Sequence, residues 1–314
     1  MEIQQPSVPD LSGRNSRAAV CFRRAGCAAS KGEPLMTTRK NALIFFTKVP
    51  APGMTKTRLT KEAGGIFTPE EAAEFYLAVM LDTAEVGFRA LELLQQSAAG
   101  EEEYTFFVCA APVDDHPRLQ EIFSDLGERG VPTHYIADEG GNFNEHFNDA
   151  FQQVFAKGFD AAVAIGGDQP QMSTTNIISA FQWLRKFSAS HAESGLVHCP
   201  CQACGVSLIG LNSKTPMDFA GVFYNANGVS ALDAIINICV AKEIPVAALE
   251  TVADIDNVED LAHALSLAHS QEYTSRFQEG VVVPQRFLAW AAENGLSVCT
   301  PPNEDHDPRE LLDA

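Results

Sequence analysis

Positive charge is what this sequence has least of. Lysine and arginine together number 22 against 41 aspartates and glutamates, and the net charge is −19. A nucleic-acid surface neutralises phosphates with clustered cations, so no nucleic-acid partner is expected. A small anionic ligand fits the balance better, because its site takes only a few local cations and a metal ion can supply the rest. Long apolar runs are also missing. None reaches the ~18 residues of a membrane-spanning helix, so no membrane association is expected. The basic first 40 residues lead into no apolar stretch of signal-peptide length, and a secretory leader is not expected either. The eight cysteines form no disulfide framework of the kind small secreted domains need, and Cys109 and Cys239 sit in apolar runs as small hydrophobes. The expected compartment is reducing and cytoplasmic.

What is present is enough apolar material for a large core: 46% of the residues are hydrophobic. Residues 1–40 read as a disordered extension, with Met36 as an alternative start just before the first strand. From Asn41 a regular pattern begins. Continuous apolar runs of strand length at 42–47, 104–110 and 161–165 alternate with helical periodicity at 69–93, 117–126, 142–155 and 173–187. Thr68-Pro69-Glu70-Glu71 has the composition of a helix start. Further strands are expected at 134–136, 195–199, 206–211 and 246–249, and helices at 228–240 and 258–268. Strands joined through helices over some 220 residues imply crossover connections and a mostly parallel sheet covered on both faces. The expected fold is therefore a three-layer α/β/α, Rossmann-like domain over 41–267, followed by an extension over 268–314 that ends in an acidic tail.

In such sheets ligands bind at the carboxyl ends of the strands. Two loops there could carry chemistry. Lys48-Val-Pro-Ala-Pro-Gly-Met-Thr-Lys-Thr-Arg58 gathers three of the chain's cations, with Gly53 able to bring backbone N–H groups close to a ligand. Lys56 and Arg58 alternate, so in an extended loop both face one ligand, as a point charge and a bidentate fork. The loop lacks the Gly-Lys-Ser/Thr order of a Walker A motif. Two readings stand: a phosphate loop, or a solvated basic loop before a helix. The second candidate is Ile165-Gly-Gly-Asp-Gln-Pro170, in which Asp168 is either a ligand for a hydrated Mg²⁺ or a turn residue.

These two segments, together with Ser207-Leu-Ile-Gly-Leu211 and Asp254-Ile-Asp-Asn-Val-Glu-Asp-Leu261, resemble in order a bacterial group of glycosyltransferase-like proteins, the DUF2064 or selenodomain-associated family. The resemblance implies a nucleotide-diphospho-sugar transferase fold of GT-A type that binds an NTP or NDP-sugar with Mg²⁺ or Mn²⁺. It places Gly53, Lys56 and Arg58 on the nucleotide phosphates and Asp168 at the catalytic and metal position. Asp254 and Asp256 become candidates for a second acid at the metal, with Asp256 preferred, while one of the two is expected to cap the helix that starts near Val258.

The departures from the family pattern fall on the other side. Gly-Asp-Leu-Gly-Glu-Arg is replaced by Gly141-Asn-Phe-Asn-Glu-His146, an aspartate by Ala203, and Trp-Ser-Thr by Tyr224-Asn-Ala226. The expectation is a metal-assisted nucleotidyl- or glycosyltransferase with an altered acceptor; the alternative is a non-catalytic nucleotide-binding or regulatory protein on the same fold. Cys199, Cys201 and Cys204, beside His198, offer soft ligands for zinc, but neighbours on a strand point apart and a second ligand pair is missing, so ordinary thiols are expected.

Overall fold

A computed structural model describes residues 38–191 and 193–299. The expectations for the first 37 residues and for the acidic tail from residue 300 lie outside these. The strands are β1 (Arg39–Phe46), β2 (Glu102–Cys109), β3 (Thr133–Ile136), β4 (Ala161–Gly166), β5 (Leu196–Pro200), β6 (Val206–Asn212) and β7 (Val246–Ala248). The helices are α1 (Pro69–Ser97), α2 (His116–Ser124), α3 (Phe143–Ala156), α4 (Thr174–Ser190), α5 (Ala231–Ala241), α6 (Val258–Thr274) and α7 (Gln285–Glu293). Among the described residues no helix is long and apolar enough to cross a membrane.

The strands form one sheet in the order β3-β2-β1-β4-β6-β5-β7. Pairing is parallel except around β6, which runs antiparallel to both β4 and β5. The expected mostly parallel three-layer architecture is therefore the one observed. Central strands β1 and β4 are buried along nearly their whole length, as continuous runs such as Ala42-Leu-Ile-Phe45 require. Alternate residues of β1 feed different cores. Leu43 and Phe45 face α1, α2 and α4, whereas Ala42 and Ile44 face α3 and α5.

Helix α1 starts where its sequence says it should: Thr68 and Glu71 form a reciprocal capping box ahead of Pro69. It is apolar on two sides. Tyr76 and Met80 pack on the sheet, while Phe75 and Val79 turn outward into a third core with Phe67, Leu265, Phe287 and Trp290. Helix α6 continues to Thr274, and α7 packs on α1 through this third core. Helices α6 and α7 thus cover a second apolar face of α1.

Candidate functional site

The parallel strands direct the loops at 47–58, 110–116, 137–142, 167–173 and 249–257 to one edge of the sheet. Three of them meet. Lys56 Nζ, from the loop after β1, lies 2.7 Å from Asp168 Oδ2, which follows β4. It donates a second bond to the carbonyl of Ile255 and stands 3.7 Å from Asp256 Oδ1. Arg58 Nη1 reaches Asp256 Oδ2 at 2.7 Å. The Ile255 amide donates to the Asp168 carbonyl at 3.3 Å, which joins the same two loops through the backbone. Lys56 is nearly enclosed, at 8% side-chain exposure, whereas Arg58 is 64% exposed. One cation is built into the site and the other is free to swing.

The structure thus brings Lys56, Arg58, Asp168 and Asp256 together, but not in the expected form. The loop is not extended. Lys56 takes a left-handed conformation (φ 49°) and opens a 3₁₀ turn over Thr57–Leu59, so convergence on Asp256 comes from a turn, not from alternation. Gly53 is the left-handed residue of a tight turn in which Met54 N bonds Ala51 O at 3.0 Å; its part is to shape the loop. Neither Asp254 nor Asp256 caps α6. Asn257 does, in a capping box with Asp260, which leaves both aspartates for the site. Asp168 and Asp256, the two acids expected at the metal, both lie against Lys56, and among the described residues no group of three or more His, Cys, Asp or Glu is placed to hold a metal.

The glycines before Asp168 sit in tight space. A Cβ on Gly166 would sit 2.9 Å from Asp168 Oδ1, and one on Gly167 would sit 3.1 Å from Tyr76 Oη. Tyr76 was invisible as a site residue in the sequence, where it reads as one more helical hydrophobe. Its buried hydroxyl bonds Thr47 Oγ1 at 3.0 Å under the Asp168 loop. Burial, and then the nearby Asp168 charge, push its ionisation well above the ordinary range, so the phenol stays neutral.

Asp254 is the strained acid. Burial first, then Asp168 and Asp256, raise its pKa from 3.8 to about 6. Its backbone is held by Gln202, whose Nε2 donates to Asp254 O at 2.6 Å while Oε1 accepts from Asp254 N at 3.3 Å. Because the folded state holds this proton more tightly than the unfolded chain, its contribution to stability is complete below pH 3.8 and is lost as the pH rises through about 6. Asp254→Asn mimics the protonated form and leaves the Gln202 clasp intact. It is expected to melt with wild type at pH 4 and above wild type at pH 7. A lower melting temperature at pH 7 would show that the charge is not the source of the strain.

The cysteines separate. Cys199 is buried against Asn176, its thiol pushed up to about 12 by burial, while Cys201 is half-buried and Cys204 exposed. On the departed side, Asn142 now caps α3, accepting from Glu145 N at 3.2 Å, and Glu145 Oε2 accepts from Gly141 N at 2.7 Å.

A sequence model of the family described as "Uncharacterized protein conserved in bacteria (DUF2064)" matches residues 94–226, which bears out the resemblance read from the motifs. The match includes Asp168 and the departed side. No curated protein matches the chain. Among solved structures, a candidate nucleotide-diphospho-sugar transferase from Desulfovibrio desulfuricans G20 superposes with a TM-score of 0.58 at 20% identity, over 81% of this chain and 95% of that one. A 4-diphosphocytidyl-2C-methyl-D-erythritol synthase from Anaerococcus prevotii (0.42, 12%, 74% and 96%) and a cytidylyltransferase from Leptospira borgpetersenii (0.40, 10%, 82% and 96%) are less similar. The chain has the fold of the nucleotide-diphospho-sugar transferases.

Proposed function

We propose that this chain is a nucleotide-dependent transferase that binds an NTP or NDP-sugar with its phosphates on Lys56 and Arg58 and moves a nucleotidyl or glycosyl group to an acceptor. The observation that carries the proposal is the meeting of two cations from one post-strand loop with carboxylates from two others at the ligand edge of the sheet. In a chain with so few cations, two of them gathered at the ligand edge of the sheet suit an anionic ligand.

A di- or triphosphate would take over the cations from the carboxylates. Arg58, mostly exposed and held by one ion pair, turns to the phosphates at little cost. Lys56 keeps its bond to the Ile255 carbonyl and directs its remaining protons at the incoming oxygens. As negative charge builds on the departing phosphate, these fixed cations stabilise it more than they stabilise the bound donor, which is the differential that lowers a barrier.

Asp168 and Asp256 would hold a divalent ion. Their hard oxygens suit Mg²⁺ or Mn²⁺, and both carboxylates already face one cation, Lys56 Nζ. Such an ion would supply further neutralisation of the leaving phosphate. The second reading, nucleotide binding without turnover, is favoured by one observation: Asn142 and Glu145 are committed to capping α3, so the departed segment offers no free acid or arginine.

Melting in the presence of NTPs and NDP-sugars, with and without Mg²⁺ or Mn²⁺, tests the proposal. A donor at about a hundred times its Kd stabilises by ~2.7 kcal/mol, a rise on the order of 5 °C or more for a chain of this size. No shift with any nucleotide would overturn the site. Shifts without turnover on a broad acceptor panel would establish the second reading.

A further inference from the structure

Tyr224 is 87% exposed, the most exposed large hydrophobic side chain among the described residues, and its backbone is left-handed at φ 52°. A bulky L-residue avoids that conformation unless its surroundings impose it. Here they do. Asn144, on α3, clamps the preceding residue in both directions: Nδ2 donates to Phe223 O at 3.0 Å and Oδ1 accepts from Phe223 N at 2.7 Å. On the far side, Asn225 clamps Val229 in the same way, at 2.6 and 3.1 Å. Asn148 fixes the loop's base by accepting from Phe219 N at 3.0 Å. A solvent-facing aromatic is thus held rigid by three amide side chains.

It has a partner. Phe143, at the first turn of α3, is partly exposed, with its ring 6.2 Å from Tyr224 and edge-on to it. Their position relates them to the donor site. Phe143 stands one turn beyond Phe147, which stacks on Phe46 at 5.1 Å, and Phe46 pairs in register with Gly166, two residues before Asp168. Phe143 therefore lies at the edge of the sheet where Asp168 lies, on the face that α3 covers and α1 does not.

The two segments that carry the rings are one-sided in charge, while Lys242, just past α5, bonds Pro216 O at 2.8 Å at the loop's base. Residues 138–149 and 217–230 carry Asp138, Glu139, Glu145, Asp149 and Asp218 but neither lysine nor arginine, and His146 is paired with Asp138 at 2.9 Å. A phosphorylated acceptor needs cations at this place. A neutral ring with hydroxyls does not. The weakly positive C–H face of a pyranose meets the negative face of an aromatic ring.

We infer that Phe143 and Tyr224 form an acceptor subsite for a neutral, hydroxyl-bearing sugar ring. The inference rests on the transferase reading and deepens it, since it selects glycosyl transfer to a hydroxyl over nucleotidyl transfer to a phosphate. The rigid loop keeps the platform open without a ligand, so little ordering accompanies binding.

Saturation-transfer NMR on the full chain, with methyl glycosides of the common hexoses and N-acetylhexosamines and with glucose 6-phosphate, tests it. At least one neutral glycoside is expected to receive saturation at its ring protons, and glucose 6-phosphate to receive none. Tyr224→Ala and Phe143→Ala should each weaken that glycoside at least tenfold while leaving any nucleotide-induced melting shift unchanged. Tyr224→Gly, which suits the left-handed backbone, should lose the glycoside without losing stability. Saturation that persists in the Tyr224 variants, stronger binding of the phosphate, or no glycoside signal would overturn the subsite. So would a change in sedimentation caused by Tyr224→Ala, which would assign the patch to self-association. A glycoside signal in a protein that no nucleotide stabilises would sink the donor reading and leave a carbohydrate site standing; the reverse pattern would remove the subsite alone.

Discussion

Lys56→Ala is expected to abolish stabilisation by every nucleotide, and Arg58→Ala to weaken it roughly tenfold. The difference arises from how the two cations are held. Lys56 is nearly enclosed and ties Asp168 to the Ile255 carbonyl, so its charge is fixed where the phosphates would lie and is little screened. Arg58 is exposed, screened by solvent, and worth about one charge-assisted hydrogen bond. The two substitutions also separate in the empty protein. Lys56→Ala strips a cation from two carboxylates and leaves the Ile255 carbonyl without its bond, at a cost of roughly 1–3 kcal/mol. Arg58→Ala removes a surface pair and should stay within about 1 kcal/mol. Melting curves of both variants, with and without nucleotide, read all four quantities. If Lys56→Ala keeps the wild-type nucleotide shift while losing stability, the lysine is a structural tie between two loops and the phosphate assignment fails.

The sheet was legible because its strands are continuous apolar runs set between capped amphipathic helices; Thr68, Asn142 and Ser173 each stand where a cap is found. The direction of β6 was not legible. Nothing in Val206–Asn212 distinguishes an antiparallel from a parallel buried strand, and in the turn that reverses the chain the positive φ falls on Ala203 and Cys204 and not on Gly205. The same blindness affected the site. Lys56 takes a left-handed conformation that its residue type does not announce, so alternation suggested an extended loop where a 3₁₀ turn forms. The cap of α6 was expected from Asp254 or Asp256, yet Asn257 next to them has the same composition, and the reciprocal bonds between Asn257 and Asp260 decide for it. Tyr76 and Gln202 act through contacts made by distant chain segments, which a sequence window does not contain.

Asp82→Ala is expected to lower the melting temperature by roughly 10 °C. Asp82 lies inside α1 at 4% exposure, yet it serves another helix. Helix α7 begins after Pro284 with no side chain of its own to cap it. Asp82 Oδ1 accepts from Arg286 N at 3.2 Å and from Arg286 Nη1 at 3.0 Å, and Oδ2 accepts from Phe287 N at 2.8 Å. A carboxylate from α1 thus supplies both the hydrogen bonds and the negative charge that a helix N-terminus favours. Alanine leaves the buried Phe287 N–H and the Arg286 N–H without their acceptor and deprives Arg286 of one of its two acids; burial holds the Asp82 pKa above its ordinary value and offsets part of this, so the loss is about 3 kcal/mol against a typical total of ~5–15 kcal/mol. Glu85 still holds Arg286 at 2.8 Å, so Glu85→Gln, on a more exposed partner, should cost under about 1 kcal/mol. The loss also shows locally. Phe287 and Trp290 seal Phe67 and Phe75, with Trp290 5.1 and 5.2 Å from those rings, so the variant should expose Trp290 to solvent and speed amide exchange in α7 before the sheet opens. If instead the sheet and α7 lose protection together, α7 is part of the one cooperative unit. If neither loses stability, the Asp82 cap contributes nothing and α7 is held by the packing of Phe287 and Trp290 alone.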